Sequence, residues 1–457
     1  MSKLIISVSG LRGIVGDTLT PDIACRYAAA FAASLPATAS DEDGGAIVVG
    51  RDGRSTGGLL GSAVISALNA SGRDVIDAGV AATPTIGVLV RETKAAGGIQ
   101  ISASHNPPPY NGIKLFGAEG RVLDAISGTK VRDSYQEGLN AYVPHDQIGQ
   151  TVPHEAPHVA HLNKVLKVVN PERVLERSYS VLLDSNHGAG GTLGLRLLEA
   201  LGCQVTTLGV EPSGNFAHMP EPTRENLITV GRSVSEHRCQ VGFCQDPDAD
   251  RLALIDETGR YIGEECTLAL CVQRAMMVGR TDGPIVINGA TSGMSEIIAK
   301  EHGVVCHRSA VGEANVADEM IASGAIFGGE GNGGPIDPDV GYVRDSFVAM
   351  AQVLELMAMT GKTLSQLADE LPKLSIHKEK VDVDPEHIRA VFDHLESHFQ
   401  DAKADRGDGL RLQWDDAWLL VRGSNTEPIV RMIAETKTAE ASEKLCATAA
   451  EMIRAAT

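Results

Sequence analysis

The sequence predicts an α/β protein with three related α/β domains followed by a smaller α+β domain. A strand–loop–helix–strand pattern recurs three times along the chain, and a different pattern begins after Pro372. The 457 residues are also enough for three or four domains of ordinary size. We therefore expect domains over residues 1–155, 156–258, 259–372 and 373–457.

Each copy of the repeated unit starts with an apolar strand and a polar loop that contains glycine. An amphipathic helix, a glycine and a second strand follow. Such units build a mixed, mainly parallel sheet between layers of helices, with ligands at the carboxyl ends of the strands. Three copies therefore indicate three related domains. The leading strands are Ala46–Val49, Tyr179–Asp184 and Pro284–Asn288.

The last part of the chain has another pattern, in which short strands alternate with two helices. This arrangement is typical of an α+β domain. We expect an extended segment over 373–384, helices over 386–400 and 439–456, and strands over 409–414, 418–421 and 429–435.

Charge and composition restrict the function. The formal net charge is −19, which disfavours a nucleic acid or an anionic membrane as partner but allows a small phosphorylated substrate. Four of the eight cysteines form two C-x4-C pairs, but these fall in a strand-like and a helix-like run, so we expect reduced core cysteines rather than zinc. The first apolar run is short for a signal peptide and no stretch is long and apolar enough to span a membrane, so we expect a cytoplasmic protein, as a monomer or homodimer.

One stiff loop carries the first candidate catalytic residue. Ser104 is followed by His105, and three prolines at 107–109 then exclude helix and central strand before Lys114. A hydroxyl held in a fixed position among polar side chains suits a nucleophile. A proline-rich loop can also be architectural, so this segment alone leaves both interpretations open.

Two further loops carry arginines that suit an anion. Arg12 lies between two glycines at a strand end, where it is either an anion clamp or a surface side chain. The segment from Arg422 to Pro428 combines a guanidinium, hydroxyls, an amide and backbone N–H groups, which together suit a phosphate dianion. An ordinary turn remains the alternative. The predicted phosphate-binding residues are Arg422, Ser424, Asn425, Thr426 and Arg431.

An acidic triplet predicts a metal site. Asp246, Asp248 and Asp250 alternate along a loop between two apolar runs, and carboxylates this close repel each other unless a cation is bound. Mg2+ prefers such oxygen ligands. An EF-hand is disfavoured because Arg251 stands where that loop needs glycine, whereas a solvated acidic turn stays open. Arg251 also indicates an anion nearby.

A glycine-dense loop, Gly328–Pro335, offers only two functional side chains, Glu330 and Asn332. It lacks the sequence context of a nucleotide-binding loop. The carboxylate and the amide suit the hydroxyls of a polyol, and a flexible turn is the alternative.

These four loops, in this order, resemble those of the α-D-phosphohexomutases, the family of phosphoglucomutase, phosphomannomutase and phosphoglucosamine mutase. The resemblance covers essentially the whole chain and implies four domains around a central cleft. It implies that Ser104 carries a phosphoryl group and that one Mg2+ is held by a phosphoserine oxygen and the three aspartates. The other implied site residues are Arg12, His105, Lys114 and Arg251 around the phosphoryl group, Glu330 and Asn332 on the sugar, and the Arg422 loop on the distal phosphate.

The resemblance also implies the reaction, in which two transfers through a hexose 1,6-bisphosphate interconvert hexose 6-phosphate and hexose 1-phosphate. Glucosamine phosphate is the expected substrate, because Gly-Glu-Gly-Asn-Gly-Gly is similar to the sugar loop of archaeal-type members. A phosphoglucomutase/phosphomannomutase is the near alternative. A Mg2+-dependent sugar phosphatase and a non-catalytic sugar-phosphate-binding protein are the distant ones.

One departure concerns acid–base chemistry. Many members have a histidine in the sugar loop at the position of Gly334. Here Lys114 and His105 remain as the candidates for proton transfer.

Overall fold

A computed structural model describes residues 4–8, 10–36, 45–138, 142–424 and 429–456. Within these residues the chain forms four sheets in succession. Each sheet and its helices make one domain, and the predicted fold class is confirmed.

The first domain has a seven-stranded sheet in the order β1-β2-β6-β5-β3-β4-β7. Its centre is parallel, whereas β6, β2 and β1 add antiparallel strands at one side. The strands are β1 (Ile5–Ser7), β2 (Gly10–Ile14), β3 (Ile47–Arg51), β4 (Val75–Val80), β5 (Gly97–Ile101), β6 (Tyr110–Gly117) and β7 (Thr151–Pro153), and the helices are α1 (Pro21–Ser34), α2 (Gly57–Ala70), α3 (Thr83–Glu92) and α4 (Ala125–Glu137), with a 3-10 turn at His145–Gln147.

The second and third domains have four-stranded sheets with orders β11-β10-β8-β9 and β13-β12-β14-β15. In each, three strands are parallel and one edge strand is antiparallel. The second domain contains α5 (Val159–Lys167), α6 (Pro171–Leu175), β8 (Ser180–Asp184), α7 (Gly191–Ala200), β9 (Gln204–Leu208), α8 (Ile228–Glu236), β10 (Val241–Gln245) and β11 (Leu252–Asp256). The third contains α9 (Glu264–Met277), β12 (Ile285–Asn288), α10 (Met294–Glu301), β13 (Cys306–Ser309), α11 (Glu313–Ser323), β14 (Phe327–Glu330), β15 (Gly334–Ile336), α12 (Ser346–Thr360) and α13 (Leu364–Glu370).

The fourth domain is an antiparallel five-stranded sheet, β16-β20-β19-β18-β17, covered by two helices. The helix expected over 386–400 begins only at Ile388, because Pro385–His387 form a 3-10 turn before it. The elements are β16 (Ser375–Asp382), α14 (Ile388–His398), β17 (Lys403–Asp405), β18 (Leu410–Gln413), β19 (Trp418–Gly423), β20 (Ile429–Thr436) and α15 (Ala439–Ala456).

Helix α12 joins the second and third domains through a common core. Every side chain from Ser346 to Ala358 is buried, as expected for a helix that is packed on all sides. Its apolar residues belong to one cluster with Leu183 and Phe243 of the second sheet and Ile287 of the third. The carboxylate of Asp345 caps the helix by accepting hydrogen bonds from two backbone N–H groups of its first turn.

A buried hydrogen-bond chain then connects three domains at this cap. His161, on α5, lies 2.9 Å through Nδ1 from Thr85 Oγ1 on α3 and 2.7 Å through Nε2 from Asp345 Oδ2. All three side chains are buried. Each partner of His161 would be left unsatisfied in a dry environment if the imidazole were removed.

We therefore expect His161→Ala to lower the free energy of unfolding by about 2–4 kcal/mol, because it strands a buried carboxylate and a buried hydroxyl. Urea denaturation followed by circular dichroism measures this change. His394→Ala, at an exposed position of α14, is the matched control and should stay near the wild-type value. Equal stability of the two variants would contradict a linking role for His161.

Candidate active site

The loop that carries Ser104 is strained and is held from within the first domain. Ser104 has φ +49°, in the left-handed region that non-glycine residues seldom adopt. The Arg54 guanidinium donates to four backbone carbonyls of the loop, and its Nε lies 3.1 Å from Asp52 Oδ2. The four acceptors are the carbonyl oxygens of Ser104 at 2.7 Å, Asn106 at 2.6 Å, Pro107 at 3.0 Å and Tyr110 at 2.9 Å.

A second contact fixes the backbone just before the hydroxyl. Ser102 Oγ donates to Asp52 Oδ2 at 2.7 Å and accepts from the backbone N–H of Ser104 at 2.8 Å. Hydrogen bonds to Asp52 and Arg54 therefore hold the loop in its conformation, in addition to the prolines. The result is a buried Ser104 whose Oγ points towards the second domain.

The acidic triplet is buried and forms one cluster. It lies between the end of β10 and the start of β11, and one ligand atom from each of Asp246, Asp248 and Asp250 lies within 4.8 Å of the others. Ser104 Oγ donates to Asp246 Oδ2 at 2.7 Å. The predicted hydroxyl and the predicted carboxylates thus meet in space, although 142 residues separate Ser104 from Asp246.

The donor set of this cluster fits a hard divalent cation. The Oδ1 atoms of Asp248 and Asp250 are buried and accept no hydrogen bond from the described residues. Buried carboxylate oxygens without partners are costly, and Mg2+ or Ca2+ prefers such oxygens. These three side chains, with an oxygen on Ser104, could therefore hold a metal ion.

Cations from two other domains approach the same carboxylates. Lys114 Nζ, on β6, lies 2.6 Å from Asp248 Oδ2 and 3.0 Å from Asp250 Oδ2. Arg344 NH2, just before α12, lies 2.7 Å from Asp250 Oδ2. Thr83 Oγ1, at the start of α3, donates to Asp248 Oδ2 at 2.6 Å. The Oδ2 atoms are thus occupied by protein donors, which leaves the Oδ1 atoms for a ligand.

Because of these contacts, the three carboxyl pKa values shift differently: that of Asp246 shifts upwards, whereas those of Asp248 and Asp250 shift downwards. Burial raises the pKa of Asp246 well above its usual range, and the charges of Asp248 and Asp250 raise it further. Burial also favours higher pKa values for Asp248 and Asp250. The charge of Lys114 outweighs burial at Asp248, and the charges of Arg344 and Lys114 outweigh it at Asp250, so both pKa values are lowered. Burial disfavours the Lys114 ammonium, yet the two aspartates raise the pKa of Lys114, which therefore stays charged.

The pKa of His105 is shifted in the opposite direction to that of Lys114. Its Nδ1 lies 3.3 Å from Ser104 Oγ. Burial lowers the pKa of His105 to about 3, and the nearby Arg251 and Arg12 lower it further. A neutral imidazole can accept a proton, whereas a charged Lys114 can only donate one. Arg12 itself lies across the same loop, where NH1 donates to Asn106 Oδ1 at 3.3 Å.

The predicted sugar loop, Gly328–Pro335, reaches this cluster through Glu330. Its Oε2 accepts from Arg344 NH1 at 2.7 Å and from Asn332 Nδ2 at 3.3 Å. Its Oε1 accepts from Asn288 Nδ2 at 2.6 Å and from Gly312 N at 3.1 Å. Glu330 and Asn332 therefore lie side by side, and Arg344 connects them to Asp250.

The fourth domain meets the third at the predicted phosphate loop. Arg422 Nε donates to Asp408 Oδ1 at 2.9 Å, and Asp408 Oδ2 accepts from Val311 N at 2.7 Å. Arg422, Ser424 and Arg431 line a pocket of about 330 Å3, which Val311 and Ala290 complete from the third domain. Asn425 and Thr426 lie outside the described residues. Val311 lines the pocket, and the next residue, Gly312, donates to Glu330 of the predicted sugar loop. The predicted phosphate loop and the predicted sugar loop are therefore neighbours.

Sequence analysis missed several residues of this site. Arg54 and Asp52 belong to the Gly-Arg-Asp-Gly-Arg loop after β3, and Arg344 precedes the N-cap of α12. Their positions next to a strand end or a helix start were visible, but nothing local indicates their partners. Asp408 and Thr83 gave no sequence signal. In the part of the chain that the structure describes, no helix combines the length and apolar character needed to cross a membrane.

Comparisons with known proteins match nearly the whole chain to one family. Four models of the phosphoglucomutase/phosphomannomutase family match in order: α/β/α domain I at residues 3–141, domain II at 156–259, domain III at 264–374 and the C-terminal domain at 378–452. The chain is 36% identical over 442 residues to a phosphoglucomutase/phosphomannomutase of Thermococcus kodakarensis, covering 96% of each. It is 34% identical to a "probable phosphoglucosamine mutase" of Methanopyrus kandleri, covering 96% of this chain and 95% of that one.

Solved structures show the same architecture. A phosphoglucomutase/phosphomannomutase family protein from Burkholderia thailandensis superposes with a TM-score of 0.86 at 25% identity, covering 99% of this chain and 98% of that one. An Aspergillus fumigatus N-acetylphosphoglucosamine mutase, in complex with GlcNAc-6P and magnesium, has a TM-score of 0.56 at 16% identity over 95% of this chain and 99% of that one, which shows the fold alone. The sequence relatives and the four domain models establish that this chain belongs to the phosphoglucomutase/phosphomannomutase family and is a mutase, an isomerase of the phosphohexomutase superfamily.

Proposed function

We propose that this mutase interconverts hexose 6-phosphate and hexose 1-phosphate, with glucosamine 6-phosphate and glucosamine 1-phosphate as its pair, and that Ser104 is the phosphoryl carrier. The observation that carries the proposal is the position of the Ser104 hydroxyl, 2.7 Å from Asp246 within a cluster of carboxylates and cations from three domains. A phosphoryl group on this oxygen would lie beside a metal site and near Arg12, Lys114 and Arg251.

The reaction consists of two transfers that mirror each other. In the first, the free hydroxyl of the hexose phosphate attacks phosphorus and loses its proton to a base, while the bond from phosphorus to Ser104 Oγ breaks and Ser104 Oγ takes up a proton. The product is a hexose 1,6-bisphosphate. After it turns over, Ser104 Oγ loses its proton and attacks the other phosphate, and the sugar oxygen leaves and takes up a proton.

His105 and Lys114 have separate roles in this proposal. The imidazole of His105 lies next to Ser104 Oγ, so its role is to exchange a proton with that oxygen, and its lowered pKa makes it a weak base. Lys114, which stays an ammonium, stabilises negative charge on the transferred group and can protonate the leaving oxygen. Neither role requires a side chain at Gly334.

The buried triplet suits one Mg2+, held by Asp246, Asp248 and Asp250 together with a phosphoserine oxygen. Mg2+ bound there supplies neutralisation of charge on the phosphoryl group. The chain's own contribution is to hold the Oδ2 atoms with Lys114, Thr83 and Arg344, which leaves two Oδ1 atoms for the ion.

The remaining loops bind the part of the substrate that does not react. Glu330 and Asn332 accept and donate hydrogen bonds to sugar hydroxyls, and the pocket at Arg422, Ser424 and Arg431 binds the distal phosphate. Asn425 and Thr426 belong to that loop in the sequence. Because one serine serves both transfers, the distal pocket has to accept the phosphate of either isomer.

Two broader assignments accompany this function. The boundaries 1–155, 156–258, 259–372 and 373–457 are proposed as the four domains, and a central cleft between them as the substrate site. A cytoplasmic location is proposed on the basis of the reduced cysteines that the sequence predicts.

The preferred sugar is tested by comparing kcat/KM for glucosamine 6-phosphate, glucose 1-phosphate and mannose 1-phosphate with catalytic glucose 1,6-bisphosphate. We expect the amino sugar to be turned over fastest. Relatives of similar identity carry both names, so higher kcat/KM for glucose or mannose phosphate would assign a phosphoglucomutase/phosphomannomutase instead. Steady release of inorganic phosphate without isomer would point to a phosphatase.

The carrier is tested by intact-mass measurement after incubation with glucose 1,6-bisphosphate. We expect a gain of one phosphoryl group that maps to Ser104, and in Ser104→Ala we expect loss of that gain and at least about a thousandfold loss of kcat. Ser62→Ala, on the exposed face of α2, is the control and should keep both. Full isomerase activity in Ser104→Ala would refute the phosphoserine.

The metal site is tested by titrating the protein with Mg2+ in a calorimeter. We expect Asp248→Asn to weaken Mg2+ binding by more than about a hundredfold, since it removes a charged ligand oxygen with little change of shape. Asp416→Asn, an exposed acid paired with Lys437, should bind as the wild type does. An unchanged dissociation constant in Asp248→Asn would place the metal elsewhere.

A further inference from the structure

Arg344 connects the loop of the acidic triplet, residues 246–250 and here called the metal loop, to the predicted sugar loop. Its NH2 donates to Asp250 Oδ2 and its NH1 to Glu330 Oε2, each at 2.7 Å. A third carboxylate, Glu313 Oε2, lies 3.7 Å from NH2. The arginine is only 7% exposed. One guanidinium therefore contacts two loops that come from different domains.

The backbone of Arg344 is as firmly held as its side chain. Its N–H donates to Glu313 Oε1 at 2.8 Å, at the start of α11. The next residue, Asp345, is the N-cap of α12 and also holds His161. Arg344 thus extends from the rigid end of a buried helix, and this fixes where its guanidinium can reach.

The path of the side chain explains why position 334 is glycine. A Cβ atom built on Gly334 would lie 2.5 Å from Cδ, 2.8 Å from Cγ and 2.9 Å from Cβ of Arg344. Contacts this short do not occur without displacement of one partner. Gly334 lies in β15, and its φ is not in the left-handed region, so backbone strain does not require glycine here. The arginine itself requires it.

The charges around Arg344 suit an ion pair that is kept for its geometry. Burial disfavours the guanidinium, but Asp250, Glu313 and Glu330 outweigh burial and raise the pKa of Arg344 well above its usual range. Buried ion pairs add little net stability compared with apolar packing. They do fix geometry, and a planar guanidinium sets the directions of two acceptors through two different N–H groups, whereas an ammonium is a single point charge on a flexible stem.

We propose that Arg344 is a positioning residue of the mutase reaction, which sets the carboxylate of Glu330 at a fixed distance from the metal loop and Ser104, and that Gly334 is glycine to admit it. The inference rests on the proposed function, because Glu330 is taken as a sugar ligand. With this link intact, the sugar presents its hydroxyl to the phosphoryl group; without it, the sugar loop and the metal loop lose their common reference.

The test compares Arg344→Met, Arg344→Lys and Gly334→Ala with Gly341→Ala. Gly341 is the matched control, because the nearest atom to its added Cβ is 4.0 Å away and its φ is also outside the left-handed region. The ligand is whichever of glucose 1-phosphate, mannose 1-phosphate and glucosamine 6-phosphate the wild type binds most tightly. The readouts are its Kd by calorimetry, KM and kcat for isomerisation, and the melting temperature.

We expect Arg344→Met to raise Kd and KM by at least about tenfold and to lower kcat by at least about tenfold. Arg344→Lys, which can reach one carboxylate at a time, should fall between Arg344→Met and the wild type. Gly334→Ala keeps the charge but displaces it, so its Kd and KM should rise while its melting temperature stays close to that of Gly341→Ala. A higher Kd and KM at an unchanged melting temperature distinguish a loss of positioning from a loss of fold. This comparison remains decisive even if Arg344→Met does not fold.

A double variant tests the steric part. On an Arg344→Ala background, adding Gly334→Ala should raise Kd at least about fivefold less than it does in the wild type, because the side chain it displaces is gone. Equal effects in both backgrounds, or wild-type Kd and kcat in Arg344→Met, would overturn the proposal. If the wild type binds the sugar phosphate but forms no isomer, the proposed function fails, whereas the Kd comparison still decides the role of Arg344.

Discussion

Three carboxylates buried at the end of one strand are the constraint around which the first three domains are arranged. Carboxylates this close cannot remain ionised in a dry site unless cations reach them. The second domain supplies the acids, and the nearest cations come from outside it, with Lys114 on β6 of the first domain and Arg344 at the start of α12. Electrostatic compensation at the site is therefore also a contact between domains, and the site and the domain arrangement depend on each other.

The serine loop shows how the first domain meets this constraint. A proline-rich segment is stiff, but stiffness alone does not aim a hydroxyl. Arg54 gathers four carbonyls of the loop, and Ser104 adopts a left-handed φ beneath them. The strain is balanced by these hydrogen bonds, and Oγ is delivered to Asp246. The conformation of this local motif therefore depends on an arginine that lies 50 residues earlier in the chain.

The fourth domain is attached in a different way. Its side chains contact backbone groups of the third domain: Asp408 at Val311 N, Glu435 at Gly293 N, and Arg411 at the carbonyl of Gly289. These contacts surround the pocket of the phosphate loop rather than a shared apolar core like that of α12. The pocket proposed for the distal phosphate and the attachment of the domain are consequently formed by the same surfaces.

Local patterns in the sequence were sufficient to predict the fold class, the leading strands of the repeated units and most of the reactive side chains at the candidate site. Repeated strand–glycine–helix patterns determine local structure, and β3, β8 and β12 lie within two residues of the strands that the sequence predicts. Which of these residues meet follows from the tertiary structure. It brings Ser104 to Asp246, makes His105 neutral and keeps Lys114 charged, and places Arg344 against Gly334. Local patterns record backbone preferences and burial, whereas pKa values and ion pairs depend on neighbours that are far away in the chain.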